Sequence, residues 1–529
     1  MIYFLTDWQG EEQLELDAIF NVTKTFNISE VETKIINTKL LPFSSYFANS
    51  FEFYNPNKII NLLDTVAHQV AATHAPLNLS DLHFPQNWEK TFTRTNVLLS
   101  ENGVIKGEVF FNKFGFVSEV HYPSQLGNEI HVYSEKGHIL SKQKISSSGE
   151  QIENQVFDEG GKLIFTDWSD YVFIGETYKN YFARETYATF KDLFIELLNT
   201  TLTNFNSVED RIIVDGTSSW LMDIVEGFSF PETALYVFSG ELGQCIDQID
   251  KHRTLIEKGK RIITDNHSLQ KRIENDLVYQ SLKNVTRYMP LYPTTLTLGK
   301  SNTYLEQSIY WQINHFDVQS EKILLDFLRL KLEINDLYLI IDMQNNADQV
   351  KVQRTIESFI SQNLGVDTIS SDYLLVKQYY EALEKEEMTP ELDNLFSIAK
   401  EEQNLEFSKA LEAYAFFTCI TFRNFPSVQE LRQDFTKMRI FIDYRDENQF
   451  HSHSLALSAG IPILSKKASP YLNKEKNGVV FQNNEQLIRA TDSYLSNTDK
   501  WNQNLVESVD IIQKYSMDGL IIEWKEYLK

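Results

Sequence analysis

The sequence predicts an α/β protein: two Rossmann-like domains, each a parallel sheet clothed in helices, with an antiparallel β-meander inserted into the first. Three observations carry this. Short apolar runs alternate with stretches of helical period at both ends of the chain, as strand–helix–strand units require. Between Thr91 and Trp168 that alternation stops, and glycine turns recur between alternating strands. The segment Met438–Phe481 reads strand, polar loop, helix, strand, which is how a parallel sheet builds a site at its strand carboxyl ends.

The chain opens with the apolar strand Ile2–Leu5 and a polar loop, Thr6–Gly10. Leu14, Ala18, Ile19 and Val22 then recur at helical spacing and predict a helix over residues 11–25. The first domain is expected at 1–40 and again at 184–298, with the meander at 41–183. Three turns in the meander share one form: an aromatic, a small polar residue, two positions, Gly, one position, an aliphatic. They are Phe111–Val117, Tyr133–Ile139 and Phe157–Leu163, with looser copies at 100–105 and 147–152. Glycine there supplies the positive φ of a tight hairpin turn. The repeat speaks for architecture rather than chemistry: a structural insertion and a sheet face for extended polypeptide both fit it.

Strand and helix alternate again from Arg184. A helix carries Phe190, Leu193, Phe194 and Leu197, strands are expected at 211–214, 234–238 and 261–264, and a helix starts at Ser268. Pro290 and Pro293 mark an extended crossing at 285–297. The second domain, 299–499, begins with a strand at 308–313, a helix at 321–332, a strand at 337–342 and a helix at 349–362, followed by acidic helical sequence to Glu412. Within Met438–Phe481 a strand ends at Asp443. A short helix begins near His451–Ser454 and stops at Gly460, beyond which Pro462 forbids its continuation. Residues 500–529 are helical in period and are expected to return to the first domain.

At 529 residues the chain exceeds one ordinary core, and its net charge of −25 opposes a nucleic-acid partner. Met1 runs straight into a strand, with no basic leader and no apolar run of membrane-spanning length, so a cytoplasmic location is expected. Cys245 and Cys419 read as two separate buried thiols.

Met438–Phe481 resembles the donor-binding segment of glycosyltransferases with two facing Rossmann-like domains, the GT-B fold. Retaining members commonly carry two glutamates eight positions apart before the Gly-x-Pro step; those places hold Glu447 and Leu455. Leucine accepts no hydrogen bond, and an unpaired ligand hydroxyl costs about 1–3 kcal/mol. The resemblance also implies an Arg and a Lys for the donor diphosphate after a Gly-containing loop. Here the loop is Gln312–Asp317, with neither Gly nor Arg; Lys322 is the one match, and Asp317 repels phosphate. His451 and Ser452, with His453 and Ser454, decorate the helix N-terminus, as an anion site or as ordinary caps. No third ligand is spaced for a metal there. The resemblance therefore implies a sugar-transferase scaffold without its donor grip: no catalytic residue and no cofactor.

With the opening Met-Ile-Tyr-Phe-Leu-Thr-Asp-Trp and the meander, the whole chain resembles the first accessory secretory proteins of streptococci and staphylococci. That resemblance implies a part in exporting serine-rich repeat glycoprotein adhesins, with two companion accessory secretory proteins and the accessory Sec motor ATPase as partners. It also implies contact with anionic lipid at the inner face of the membrane, for which Lys466, Lys467, Lys474 and Lys476 are the one basic cluster. The alternative is an active or regulatory UDP-sugar-dependent glycosyltransferase, with Glu447 and Lys322 as residual donor contacts. A lectin-like binder is a third reading.

Overall fold

The computed structural model describes residues 1–9, 14–27, 29, 31–50, 59–66, 75–124, 127–259, 261–402, 404–447, 449–473 and 476–528. Gly10, the expected helix start at 11–13, and Lys474 lie outside the described residues. The chain divides into two units, Met1–Leu291 with Tyr527–Lys529, and Tyr292–Glu526.

The first unit holds two sheets. Seven parallel strands run in the order Thr286–Tyr288, Ile262–Thr264, Ala234–Phe238, Arg211–Asp215, Ile2–Thr6, Thr33–Asn37, Ile59–Asn61. Every residue of Ile2–Thr6 is buried, as a central strand covered on both faces demands. Strand order turns back between Ile2–Thr6 and Arg211–Asp215, the switch point where such sheets open a crevice at their carboxyl ends. The strand Ile59–Asn61 pairs with Thr33–Asn37, so the parallel sheet continues past residue 41, where the insertion was expected to begin. Two isoleucines carry too little periodicity to announce such a strand.

The antiparallel sheet has ten strands in strict chain order from Glu89–Phe92 to Thr186–Tyr187. Its turns explain the glycine repeat. In each of the three closest copies the residue after the aromatic accepts from the glycine amide (Asn112–Gly115, Ser134–Gly137, Asp158–Gly161) at 2.9–3.0 Å. Those glycines have φ of 83°, 76° and 76°. Pairing slips by one residue beside each turn, at Phe110/Phe111, Val132/Tyr133 and Val156/Phe157, so each turn ends in a bulge. The core runs from the parallel sheet (Leu5, Val214, Tyr236) into the last antiparallel strands (Val156, Phe165, Val172) without a break.

The second unit is built on six parallel strands ordered Ile420–Asn424, Leu337–Met343, Gln307–Ile313, Ile440–Asp443, Ile463–Ser465, Gly478–Val480. Its switch point lies between Gln307–Ile313 and Ile440–Asp443. The edge strand Ile420–Asn424 comes one residue after the helix Leu405–Thr418, beyond the acidic helical stretch expected to end at Glu412. Cys419 sits at that helix end, half-exposed, so only Cys245 is the buried thiol expected of both. Helices Asn484–Ser496, Thr498–Lys514 and Met517–Leu528 close the chain. In the first unit Tyr527 donates to the Ile262 carbonyl at 3.1 Å and accepts from the Ile262 amide at 3.1 Å.

Candidate functional site

The second sheet's switch point brings four polar side chains to the strand ends. Gln312 stands one residue from the end of Gln307–Ile313, Asp342 one from the end of Leu337–Met343, and Asp443 ends Ile440–Asp443. The helix Phe450–Ser458 begins directly beyond and supplies His453.

Asp443 is fully buried, and its carboxylate is consumed within the fold. It accepts from Arg445 Nε at 2.8 Å and Nη2 at 3.0 Å, a bidentate pair, while His453 Nε2 lies 2.8 Å from the Oδ2 that Nη2 also reaches. Burial pushes this carboxyl upward, yet Arg445 and then His453 outweigh it and hold it well below the usual carboxylate range. Arg445 is itself buried. The sequence presents it in the charged run Arg445-Asp446-Glu447, which reads as solvated loop. The one clue was Asp443 at the end of an all-apolar strand, because a buried carboxylate needs a cation.

Alongside, Asp342 accepts from Gln312 Nε2 at 2.6 Å and from the Tyr310 hydroxyl at 3.0 Å. Burial raises its carboxyl, and the hydrogen bonds from Gln312 and Tyr310 offset only part of that. Ser452, also buried, lies 3.5 Å from Gln312 Nε2.

The helix Val318–Glu333 follows the first strand of this unit, and its N-terminus is where a phosphate would dock. Asp317 is already there. Its Oδ1 accepts from the amides of Gln319 at 3.0 Å and Ser320 at 2.8 Å. The Ser320 amide and hydroxyl, which outweigh burial, hold this carboxyl below its ordinary range. The helix dipole thus faces a resident carboxylate.

The structure scatters the remaining sequence candidates. Lys322 is exposed one turn into that helix. Glu447 is half-buried and paired with Lys467 at 3.1 Å rather than solvated. Leu455 is half-buried on Phe450–Ser458, and His451 packs its ring edge-on to Tyr292, centroids 5.6 Å apart. The helix starts at Phe450 with Gln449 as its cap residue, so neither Ser452 nor Ser454 caps it; Ser454 donates to the Pro293 carbonyl at 2.9 Å. Gly460 takes φ 73° and ends the helix as its sequence position predicts.

The described lysines of the cluster do not form a free basic patch. Lys466 lies 3.5 Å from Asp446 and over the Tyr444 ring, Lys467 pairs with Glu447, and Lys476 lies 3.1 Å from Glu507. Tyr471, which these lysines flank in sequence, is fully buried. The segments that carry these lysines, outside the strands, lie against acidic neighbours that sequence proximity does not reveal.

The first unit contains two adjoining cavities, about 580 and 400 Å³, between its strand carboxyl ends and one face of the antiparallel sheet. Trp8, Phe43, Phe47 and Phe114 line the first, while Ser141, Gln143 and Asn154 line the second. Asn154 is buried, and its Oδ1 has no hydrogen-bond partner.

Two parallel α/β sheets with switch-point crevices, one carrying an antiparallel insertion, define a glycosyltransferase-like protein of GT-B type. The pneumococcal O-GlcNAc transferase GtfA, solved with UDP and GlcNAc, shares this fold at a TM-score of 0.60 and 11% identity, over 100% of this chain and 98% of that one. The chain belongs to the accessory Sec system protein family of accessory secretory protein 1, whose profile matches residues 4–529. It is 21% identical to the Streptococcus gordonii member over 100% of this chain and 99% of that relative. A crystal structure of accessory secretory proteins 1, 2 and 3 from Streptococcus pneumoniae matches at a TM-score of 0.72 and 17% identity, covering 100% of this chain and 99% of that one.

Proposed function

We propose that this chain is a non-catalytic adaptor of the accessory Sec system. It assists export of serine-rich repeat adhesins by binding two companion accessory proteins, the motor ATPase and the substrate polypeptide at the cytosolic face of the membrane. The observation that carries this reading is the closed charge network at the second switch point. A transferase must grip a leaving diphosphate with fixed positive groups. Here Arg445 and His453 are bound to Asp443, and Asp317 occupies the helix end that a phosphate would need. Leu455 adds an aliphatic where a ribose acceptor belongs.

Companion binding is supported by the pneumococcal relative, whose crystal structure holds accessory secretory proteins 1, 2 and 3 together. The aromatic and amide-lined cavities of the first unit are the place we assign to substrate polypeptide. Lipid contact through the lysine cluster has no such support, because its described lysines lie beside carboxylates.

Calorimetric titration with UDP-GlcNAc and with UDP-glucose tests the adaptor reading. No saturable heat is expected, and micromolar binding of either would favour an active transferase. Pull-down from cytosol with the purified chain is expected to recover the companions and the motor ATPase. Recovery of a glycosyltransferase alone would favour the regulatory reading.

A further inference from the structure

Three potential ligands converge in the first unit. Asp223 and Glu226 stand one turn apart on the helix Ser219–Glu226, and His252 ends the helix Leu242–Lys251. One oxygen from each carboxylate and one imidazole nitrogen all lie within 4.8 Å of one another. Residues i and i+3 share a helix face, so both carboxylates meet the histidine from one side.

The histidine turns this from an acidic pair into a candidate site. His252 is only 5% exposed, and its Nε2 is covered yet has no hydrogen-bond partner. That nitrogen lies 3.4 Å from Asp223 Oδ1, close to the carboxylate but outside hydrogen-bond geometry. A buried polar nitrogen aimed at a carboxylate without bonding to it is costly unless something completes the contact. The Tyr236 hydroxyl is also buried and unpartnered, and it lies near enough to Glu226 to feel its charge.

An ordinary ion pair explains part of the cluster. Lys251 Nζ lies 3.3 Å from Asp223 Oδ1 and 2.6 Å from the Ser219 hydroxyl. That lysine is half-exposed on a flexible stem, and it leaves His252 Nε2 and Glu226 unserved. Its ammonium is therefore a displaceable competitor.

We propose that Asp223, Glu226 and His252 bind one divalent cation of the zinc class. One imidazole and two carboxylates match zinc, whereas magnesium takes oxygen ligands. Ligand bonds of about 2.0–2.2 Å at tetrahedral angles set ligand atoms roughly 3.4 Å apart, the spacing that His252 Nε2 and Asp223 Oδ1 already have, and Glu226 closes in from within 4.8 Å. Exposed Glu226 leaves the outer side open to solvent, for entry and for a coordinated water. The ion would clip the helix Ser219–Glu226 to the end of Leu242–Lys251.

The test uses the full chain, stripped with chelator and titrated calorimetrically with ZnCl2, and separately with CoCl2 followed by visible absorption. One saturable site is expected, with cobalt bands and no displacement of zinc by excess MgCl2. Loss of a mere outer-shell partner costs about 10–100-fold in affinity. His252→Gln and Glu226→Gln should each therefore weaken zinc by at least about tenfold, and Lys251→Met should tighten it. Absence of a saturable site, displacement by magnesium, or zinc affinity in both Gln variants unchanged from wild type overturns the proposal. If His252→Gln fails to fold, the exposed Glu226→Gln decides alone.

Discussion

At the scale of single residues, Asp443 decides what the second crevice can do. A buried carboxylate held by Arg445 and His453 anchors the loop after its strand, and the Arg445 guanidinium is already engaged by it. Removing one partner of a buried pair strands the other, which typically costs about 3–5 kcal/mol. Asp443→Asn and Arg445→Ala are expected to lose stability of that order, read as a shift in the urea midpoint at pH 7. Because the folded Asp443 carboxyl lies below its unfolded value of about 3.9, its contribution is present above pH ~4 and fades as pH falls further. The gap between wild type and Asp443→Asn should therefore narrow in acid. Lys467→Ala, at a partly exposed pair, should change stability by no more than about 1 kcal/mol. Leu455→Glu is expected to gain no UDP-sugar binding by calorimetry, because Asp317 still fills the helix end.

Among the elements, the hairpin turns of the antiparallel sheet and the end of Phe450–Ser458 rest on glycine for different reasons. A Cβ at Gly161 meets nothing within 4 Å, so only its φ of 76° opposes substitution. Gly161→Ala is expected to cost about 1 kcal/mol. At Gly137, with the same φ, a Cβ would lie 2.6 Å from the Ala75 carbonyl oxygen, so the backbone must also move. Gly460→Ala combines φ 73° with a Cβ 2.3 Å from Leu505 Cδ1. Thermal melts should rank the losses with Gly161→Ala least. Equal losses at Gly161 and Gly137 would show that close packing at the second turn carries no energy.

Across the whole molecule, the excess of acid sets the response to pH. Burial pushes Asp265 up to about 8, offset only in part by a hydrogen bond from Ser239. Burial, then the charges of Asp215 and Asp7, push Asp17 up to about 7. Each carboxyl binds its proton more tightly folded than unfolded. Their contribution is therefore complete below pH ~4 and is lost as pH rises through about 7 to 8. A net charge of −25 adds self-repulsion in the same direction. The melting temperature is expected to rise when pH is lowered from 8.5 to 6, and Asp265→Asn should flatten that rise. An unchanged slope in the variant would remove Asp265 from the account.

What the sequence determined by itself is the periodic part. Apolar runs such as Ile309–Ile313 and Ile440–Ile442 had one way to be buried, as parallel strands, and Gly115, Gly137, Gly161 and Gly460 had one conformation to supply. That the Leu455 side chain accepts no hydrogen bond is likewise fixed by residue type in any fold. Only the tertiary structure decided where the charges went. Arg445 and Lys467 look alike in sequence, yet one is buried against Asp443 and the other is partly exposed beside Glu447. Asp317 became a helix cap, Ile59–Asn61 and Ile420–Asn424 joined sheets, and His252 met Asp223 across two helices. Periodicity is local and survives in the string of residues. Ion pairs and strand partners are settled by distances between segments that only folding brings together.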